Sequence, residues 1–153
     1  MKHLLKLLDW STEEILEVLD LADKLKAEQK AGVAHERLKG KSVALVFSKA
    51  STRTRCSFDV GVYQLGAHSV TLSASESQIG RGEPIEDTAR VLSRYFDGVM
   101  IRTYKQSDVE ALARHGSIPV INGLTDSFHP CQVLADLQTI REFKRKLAGL
   151  KMA

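Results

Sequence analysis

The stretch Phe47-Ser-Lys-Ala-Ser-Thr-Arg-Thr-Arg-Cys-Ser-Phe58 places two arginines and four hydroxyl side chains within seven positions, directly after the apolar run Ser42-Val-Ala-Leu-Val-Phe47. Donors in that density at the end of a buried strand suit an anion. If Ser51 opens a helix, the free N–H groups of its first turn and the Ser51, Thr52 and Thr54 hydroxyls cradle a tetrahedral oxyanion, and Arg53 adds a forked charge-assisted contact. A helix terminus contributes only about 0.3–1 kcal/mol, whereas each hydrogen bond to a charged group contributes about 1.5–3 kcal/mol, so the side chains should dominate. Neither G-x-x-x-x-G-K-[ST] nor a G-x-G-x-x-G after a strand occurs, which leaves a nucleotide site little support. The plainer alternative makes Ser51 an N-cap and the arginines surface charges.

Two further segments carry chemistry. Arg102 directly follows the apolar run Gly98 to Ile101. Phe128-His-Pro-Cys-Gln132 follows the run Ile118 to Ile121 and a polar loop, with Pro130 marking a helix start. Taken alone, a histidine before a helix is more often a cap or a surface residue. In an open α/β sheet, however, ligands bind beyond the carboxyl ends of the strands, and all three segments reach that rim. The stretch Ser75 to Pro84 reads by composition as a mobile loop, with a solvated surface loop as its plainer interpretation.

The elements that must position these residues follow from periodicity. Ser11-Thr-Glu-Glu14 is a capping box, and the apolar residues after it predict a helix to about Lys30. Strands are expected at Ser42 to Phe47, His68 to Leu72, Gly98 to Ile101 and Ile118 to Ile121, without clean alternation, as when both faces are covered. Helices are expected at about Thr52 to Leu65, Pro84 to Phe96, Ser107 to His115 and Pro130 to Leu147. Pro84 and Pro130 suit a first helical turn, Ser107-Asp-Val-Glu110 reads as a second capping box, and Gly66 and Gly116 suit helix ends. The implied fold class is α/β: a four-stranded parallel sheet with helices on both faces. Beyond the last helix, the glycine stop in Ala148-Gly-Leu-Lys-Met-Ala153 suggests the opening of another strand, as at a domain boundary.

A length of 153 residues predicts one domain, and 43% hydrophobic with 27% charged residues is the ordinary soluble globular balance. A formal charge of +3 with scattered Lys and Arg argues against a nucleic-acid surface, so any basic feature must be local. No apolar run approaches a membrane span, and Lys6 and Asp9 interrupt any signal-peptide core. Cys56 and Cys131 lie far apart without metal-ligand spacing, which fits a reduced, cytoplasmic protein. Lys144-Arg-Lys146 reads as favourable charge at a helix C-terminus.

Ser51-Thr-Arg-Thr-Arg55 and His129-Pro-Cys-Gln132, in this order with Arg102 between them, resemble the carbamoyl-phosphate signatures of the aspartate/ornithine carbamoyltransferase family. The resemblance covers nearly the whole chain and is to the amino-terminal, carbamoyl-phosphate-binding half. Ser77-Gln-Ile-Gly80, Cys56-Ser-Phe58 and Asp87-Thr-Ala-Arg90 resemble the ornithine branch; the aspartate branch places a catalytic lysine in the loop where this chain has none between Lys49 and Lys105. The resemblance implies that Ser51, Thr52, Arg53 and Thr54 hold the phosphate, and that Arg102, His129 and Thr54 donate to the carbonyl oxygen as the catalytic set. It implies that Gln132 orients the carbamoyl amide beside Pro130 and Cys131, and that Gln78 reaches the phosphate of a neighbouring subunit in a homotrimer. It implies no metal, nucleotide or organic cofactor.

Two departures accompany it. Ser48 stands where the ornithine enzymes usually carry glutamate, which puts an ion pair in doubt. The expected domain assignment is a carbamoyl-phosphate-binding domain over 1–153, without the ornithine-binding domain, so that L-ornithine would bind only with the missing half. A non-catalytic assembly module, and a carbamoyltransferase for another amine, remain as alternatives.

Overall fold

The computed structural model describes residues 1–151. Along the chain come α1 (Thr12–Lys30), β1 (Ser42–Phe47), α2 (Thr52–Gln64), β2 (His68–Ser73), α3 (Ile85–Tyr95), β3 (Gly98–Arg102), α4 (Gln106–His115), β4 (Val120–Leu124) and α5 (Pro130–Lys144). The four strands form one sheet in the order β2-β1-β3-β4, with every pairing parallel. Right-handed crossovers then decide the layers. The chain moves outward from β1 to β2 but back across β1 to β3 and onward to β4, so α2 lies on one face and α3 and α4 lie on the other.

Side-chain alternation along the central strands matches those layers. Ala44, Val46, Val99, Ile101 and Val120 pack with Ala89 and Leu92 of α3 and Val109 and Leu112 of α4 into one buried cluster. Leu45 and Met100, one position out of phase, are fully buried on the opposite face, where α2 and α5 meet the sheet and α1 packs on α5. Strands buried on both sides account for the absence of polar alternation in the sequence. The reciprocal Ser11–Glu14 capping box fixes the start of α1, and Arg141 of α5 ties back to Asp20 and Asp23 of α1.

Several boundaries differ from those expected. The fourth strand runs from Val120 to Leu124 rather than from Ile118 to Ile121. Pro119 has no N–H for the ladder, and Asn122, polar by type, is fully buried with Nδ2 donating to the Leu5 carbonyl at 2.9 Å. The amino-terminal segment pairs along this edge of β4, Leu4 N–H donating to Val120 at 2.9 Å and Asn122 N–H to Leu4 at 2.8 Å. The expected capping box at Ser107 does not form: Lys105 is the N-cap, without a side-chain cap, and Ser107 and Glu110 lie inside α4. The helix starts earlier because the Gln106 side-chain oxygen Oε1 accepts from Thr125 Oγ1 at 2.9 Å and Asn122 Nδ2 at 3.2 Å, holding that residue at the helix start.

Pro84 is the N-cap of α3 rather than a residue of its first turn. Gly116 ends α4 with extended backbone, and α5 stops at Lys144, with Arg145 in the left-handed region at φ 61°. Leu150 and Lys151 form no strand. The rest of the expected strand opening, Met152 and Ala153, lies outside the described residues. No helix among the described residues is long and apolar enough to cross a membrane.

Candidate functional site

Three connections leave the carboxyl ends of β1, β3 and β4, and each delivers one part of a polar set. After β1, Ser51 takes an extended conformation as N-cap of α2, and its Oγ accepts from Thr54 N–H at 3.2 Å. The remaining first-turn N–H groups have no carbonyl one turn earlier to receive them. Ser51 is thus an N-cap and Arg53 and Arg55 are exposed, as the plainer alternative has it, while the free N–H groups of the turn leave room for an anion beside them.

Arg102 closes β3, and a bulge sets its direction. Ile101 pairs with Asn122 but Arg102 pairs with Leu124, so Gly123 is left over on β4. A bulge re-aims the side chains around it. Gly123 permits this close approach: a Cβ there would stand 2.5 Å from Met100 Sδ. Arg102 Nη1 donates to Thr54 Oγ1 at 3.2 Å, joining the β3 end to the first turn of α2. Its Nε is buried without a hydrogen-bond partner, and a buried donor left in that state is costly unless something else receives it.

His129 is the N-cap of α5, with Pro130 at the first helical position, but its side chain makes no capping hydrogen bond. Its backbone carbonyl does the capping, accepting from Gln132 N–H at 3.1 Å and Val133 N–H at 3.2 Å. The ring Nδ1 is buried and unpartnered. Burial holds the imidazole below its ordinary pKa of 6.5, the neighbouring Arg102 charge adds to that, and Asp136 opposes it. The ring is therefore neutral at neutral pH and can donate one N–H without carrying a full charge.

The other residues of this turn behave differently. Cys131 Sγ donates to the Asn122 carbonyl at 3.4 Å, and burial pushes the thiol up to about 11, so it stays protonated and packs rather than reacts. Gln132 is exposed, and its Nε2 donates to Asp136 Oδ1 at 2.9 Å. A cleft of about 210 Å³ between α2 and α5 is lined by Arg53, Thr54, His129, Cys131 and Gln132. On the other side of Ser51 and Thr52 a second cleft, of about 610 Å³, adds Lys49, Arg55 and Ser73.

Gln78 does not join this set within one chain. It opens a short 3-10 turn, Gln78–Arg81, on an exposed loop after β2, and lines neither cleft. The loop is nonetheless folded: Ile79 packs on the core cluster, and Glu83 accepts from the buried Thr88 hydroxyl at 2.7 Å. At Gly80 a Cβ would lie 2.0 Å from the Ala74 carbonyl oxygen, so only glycine fits. Sequence reasoning also passed over Lys49, Tyr104 and Asp126. Lys49 forms an ion pair with Asp126 and lies 4.4 Å from the Tyr104 ring centroid. The available signal was position alone, since each follows the end of a strand by a few residues.

A parallel sheet that gathers Ser, Thr, Arg and His side chains at the carboxyl ends of its strands defines an α/β anion-binding domain. The model of the aspartate/ornithine carbamoyltransferase carbamoyl-P binding domain matches residues 2–142, and the chain belongs to that family. It is 60% identical over 151 residues to an ornithine carbamoyltransferase of Oceanobacillus iheyensis, covering 99% of this chain and 47% of that protein. An ornithine carbamoyltransferase of Geobacter sulfurreducens is 59% identical over 153 residues, with 100% and 50% covered. Among solved structures, the ornithine carbamoyltransferase from Pyrococcus furiosus superposes with a TM-score of 0.92 at 51% identity, over 95% of this chain and 46% of that one. The catalytic subunit of M. Jannaschii aspartate transcarbamoylase gives 0.87 at 36% identity, over 95% and 48%. The chain thus spans about half the length of the relatives it matches.

Proposed function

We propose that this chain is the carbamoyl-phosphate-binding half of an ornithine carbamoyltransferase, which converts carbamoyl phosphate and L-ornithine to L-citrulline and phosphate. The observation that carries this reading is the convergence of Arg102 on Thr54, with Arg102 Nε and His129 Nδ1 both buried and unpartnered. Two unfilled hydrogen-bonding positions suit a ligand rich in oxygens.

The roles follow from chemistry. Ser51, Thr52, Arg53 and Thr54, with the α2 terminus, hold the phosphate. The neutral δ-amine of ornithine attacks the carbamoyl carbon, and electron density moves onto the carbonyl oxygen. Arg102, Thr54 and the neutral His129 donate to that oxygen, an arrangement in which one fixed donor is typically worth about 2.7–4 kcal/mol of transition-state stabilisation. The C–O bond to phosphate then breaks, phosphate leaves with the bonding pair and takes the amine proton. Gln132 orients the carbamoyl amide after giving up its bond to Asp136, and Pro130 and Cys131 shape the floor. Gln78 completes the phosphate site of a neighbouring subunit in a homotrimer, consistent with its distance from the set in its own chain. The setting is cytoplasmic arginine biosynthesis.

Calorimetric titration of the chain and its Arg53→Ala variant with carbamoyl phosphate and with inorganic phosphate tests the donor site. Weak binding by the chain and a clear loss in the variant are expected; equal heats would count against the phosphate role. The chain alone should form little or no citrulline, and a separately supplied ornithine-binding half should restore it. A formed complex without activity would favour the assembly module.

A further inference from the structure

We infer that Lys49 is a positioning residue for the anion site: its ammonium group fastens together the three strand-end loops that carry Ser51, Arg102 and His129. The inference rests on the proposed phosphate role of that rim. Lys49 stands two residues after β1 and two before the Ser51 cap. It pairs with Asp126 in the β4–α5 loop, three residues before His129, and lies over the Tyr104 ring in the β3–α4 loop, two residues after Arg102. One side chain therefore touches every connection that supplies the site.

Backbone bonds run the same way but reach only from loop to neighbouring loop. Ser48 N–H donates to the Arg102 carbonyl at 2.8 Å, Thr103 N–H to Leu124 at 3.0 Å, and Asp126 N–H to Tyr104 at 2.9 Å. Lys49 spans from the first loop to the last. Its side chain is 18% exposed while that of Asp126 is 66% exposed, so the ammonium is held inward on the aromatic face with the carboxylate as its outer partner. An ion pair open to solvent on one side adds little to global stability. Its consequence is local: it sets the spacing of the three arms.

An ammonium beside an anion cleft could also act simply as attracting charge, and Asp126 separates the two roles. If Lys49 attracts the anion directly, Asp126→Asn unmasks its charge and tightens phosphate binding. If Lys49 fastens the loops, Asp126→Asn weakens binding in the same direction as Lys49→Met.

The experiment measures inorganic phosphate affinity by calorimetry for the wild type, Lys49→Met, Asp126→Asn, the double variant and Lys49→Arg, with thermal unfolding of each. Expected is a loss of roughly threefold or more in each single loss-of-pair variant, no further loss in the double, and recovery in Lys49→Arg, with unfolding midpoints little changed. Tighter binding by Asp126→Asn, wild-type affinity in both singles, or additive losses would overturn the inference. Arg53→Ala serves as the control: if it loses phosphate while the Lys49 and Asp126 variants keep it, the anion site stands and the fastening role falls. A second readout needs no ligand. The NMR shifts of the His129 ring should move in Lys49→Met and Asp126→Asn, because its distance from Arg102 changes, and unchanged shifts would equally overturn the inference.

Discussion

At the amino end of the sheet, Asp97 accepts from Ser42 N–H at 2.9 Å and from Lys41 Nζ at 3.0 Å, while the Ser42 hydroxyl donates to the Tyr95 carbonyl at 3.2 Å. At the carboxyl end, Arg102 satisfies one nitrogen on Thr54 but leaves Nε buried and unpaired, and His129 leaves Nδ1 in the same condition. The two ends use similar residue types. They differ in whether the partners are internal; Arg141 Nε is unpartnered too, so it is the placement of Arg102 and His129 at the strand ends together with their open positions that marks a site. Cavity size does not distinguish the ends: the open hollow at the amino end, lined by Lys41, Ser42 and His68, is about 660 Å³, against about 610 Å³ beside Ser51 and Thr52 and about 210 Å³ between α2 and α5.

The sharpest way to break this contrast is Arg102→Leu. Losing a hydrogen bond to a charged ligand costs about 1.5–3 kcal/mol, so carbamoyl phosphate affinity should fall roughly ten- to hundredfold. The unfolding midpoint should hold or rise, because a buried donor without a partner is removed along with the guanidinium. A variant that unfolds readily yet still binds carbamoyl phosphate as tightly as the wild type would make Arg102 a structural residue like Asp97.

A smaller effect is expected at His129. Its pKa lies below the ordinary 6.5, chiefly through burial and then through Arg102. A bound phosphate brings negative charge against the same ring and should move the NMR titration midpoint upward. An unmoved midpoint would place the anion elsewhere. For stability the sign is fixed by linkage: a histidine lowered on folding contributes fully above 6.5, and that contribution is lost as pH falls from 6.5 through its folded value. His3 shifts in the same direction, through burial and the positive amino terminus, and its Nδ1 receives the Val120 N–H at 3.2 Å. Acidification should therefore loosen both the His129 turn and the amino-terminal strap on β4, read as a falling unfolding midpoint below pH 6.5 that flattens in the His3→Gln variant.

How much of this was legible beforehand depended on whether a residue's environment comes from its own segment. β1 and β3 are short apolar runs between helices, so their existence and parallel direction follow from composition and connection rules, whereas their place in the sheet order does not. The Ser51 to Arg55 cluster declares itself because its donors are adjacent in sequence. β4 was misplaced because Asn122 and Gly123 are loop-forming by type and become strand only through the amino-terminal segment and the bulge against Met100. The sequence starts α4 one residue late because its first turn is held by the Gln106 side chain against Asn122 of β4 and Thr125 just beyond it, tertiary contacts that no local capping pattern encodes. Lys49 was invisible as a fastening residue since Tyr104 and Asp126 lie far along the chain. The role of Gln78 at a neighbour's site comes from the family resemblance alone, and within the chain it stands apart from the two clefts.

The smallest expected effect completes the contrast from the other end. Asp97 is held below the ordinary carboxylate pKa of 3.8, first by the Ser42 N–H and then by Lys41. A carboxylate lowered on folding stabilises above 3.8 and loses that contribution as pH falls below it, so near neutrality the full effect is present. Asp97→Asn retains an acceptor for Ser42 but drops the charge facing Lys41, and the site is open to solvent, where screening keeps such pairs weak. The unfolding midpoint should therefore drop slightly at pH 7 and match the wild type in strong acid, while phosphate affinity stays unchanged throughout. A change in phosphate affinity on Asp97→Asn would mean that the two ends of the sheet are coupled, and the distinction between satisfied and waiting polar groups would no longer separate scaffold from site.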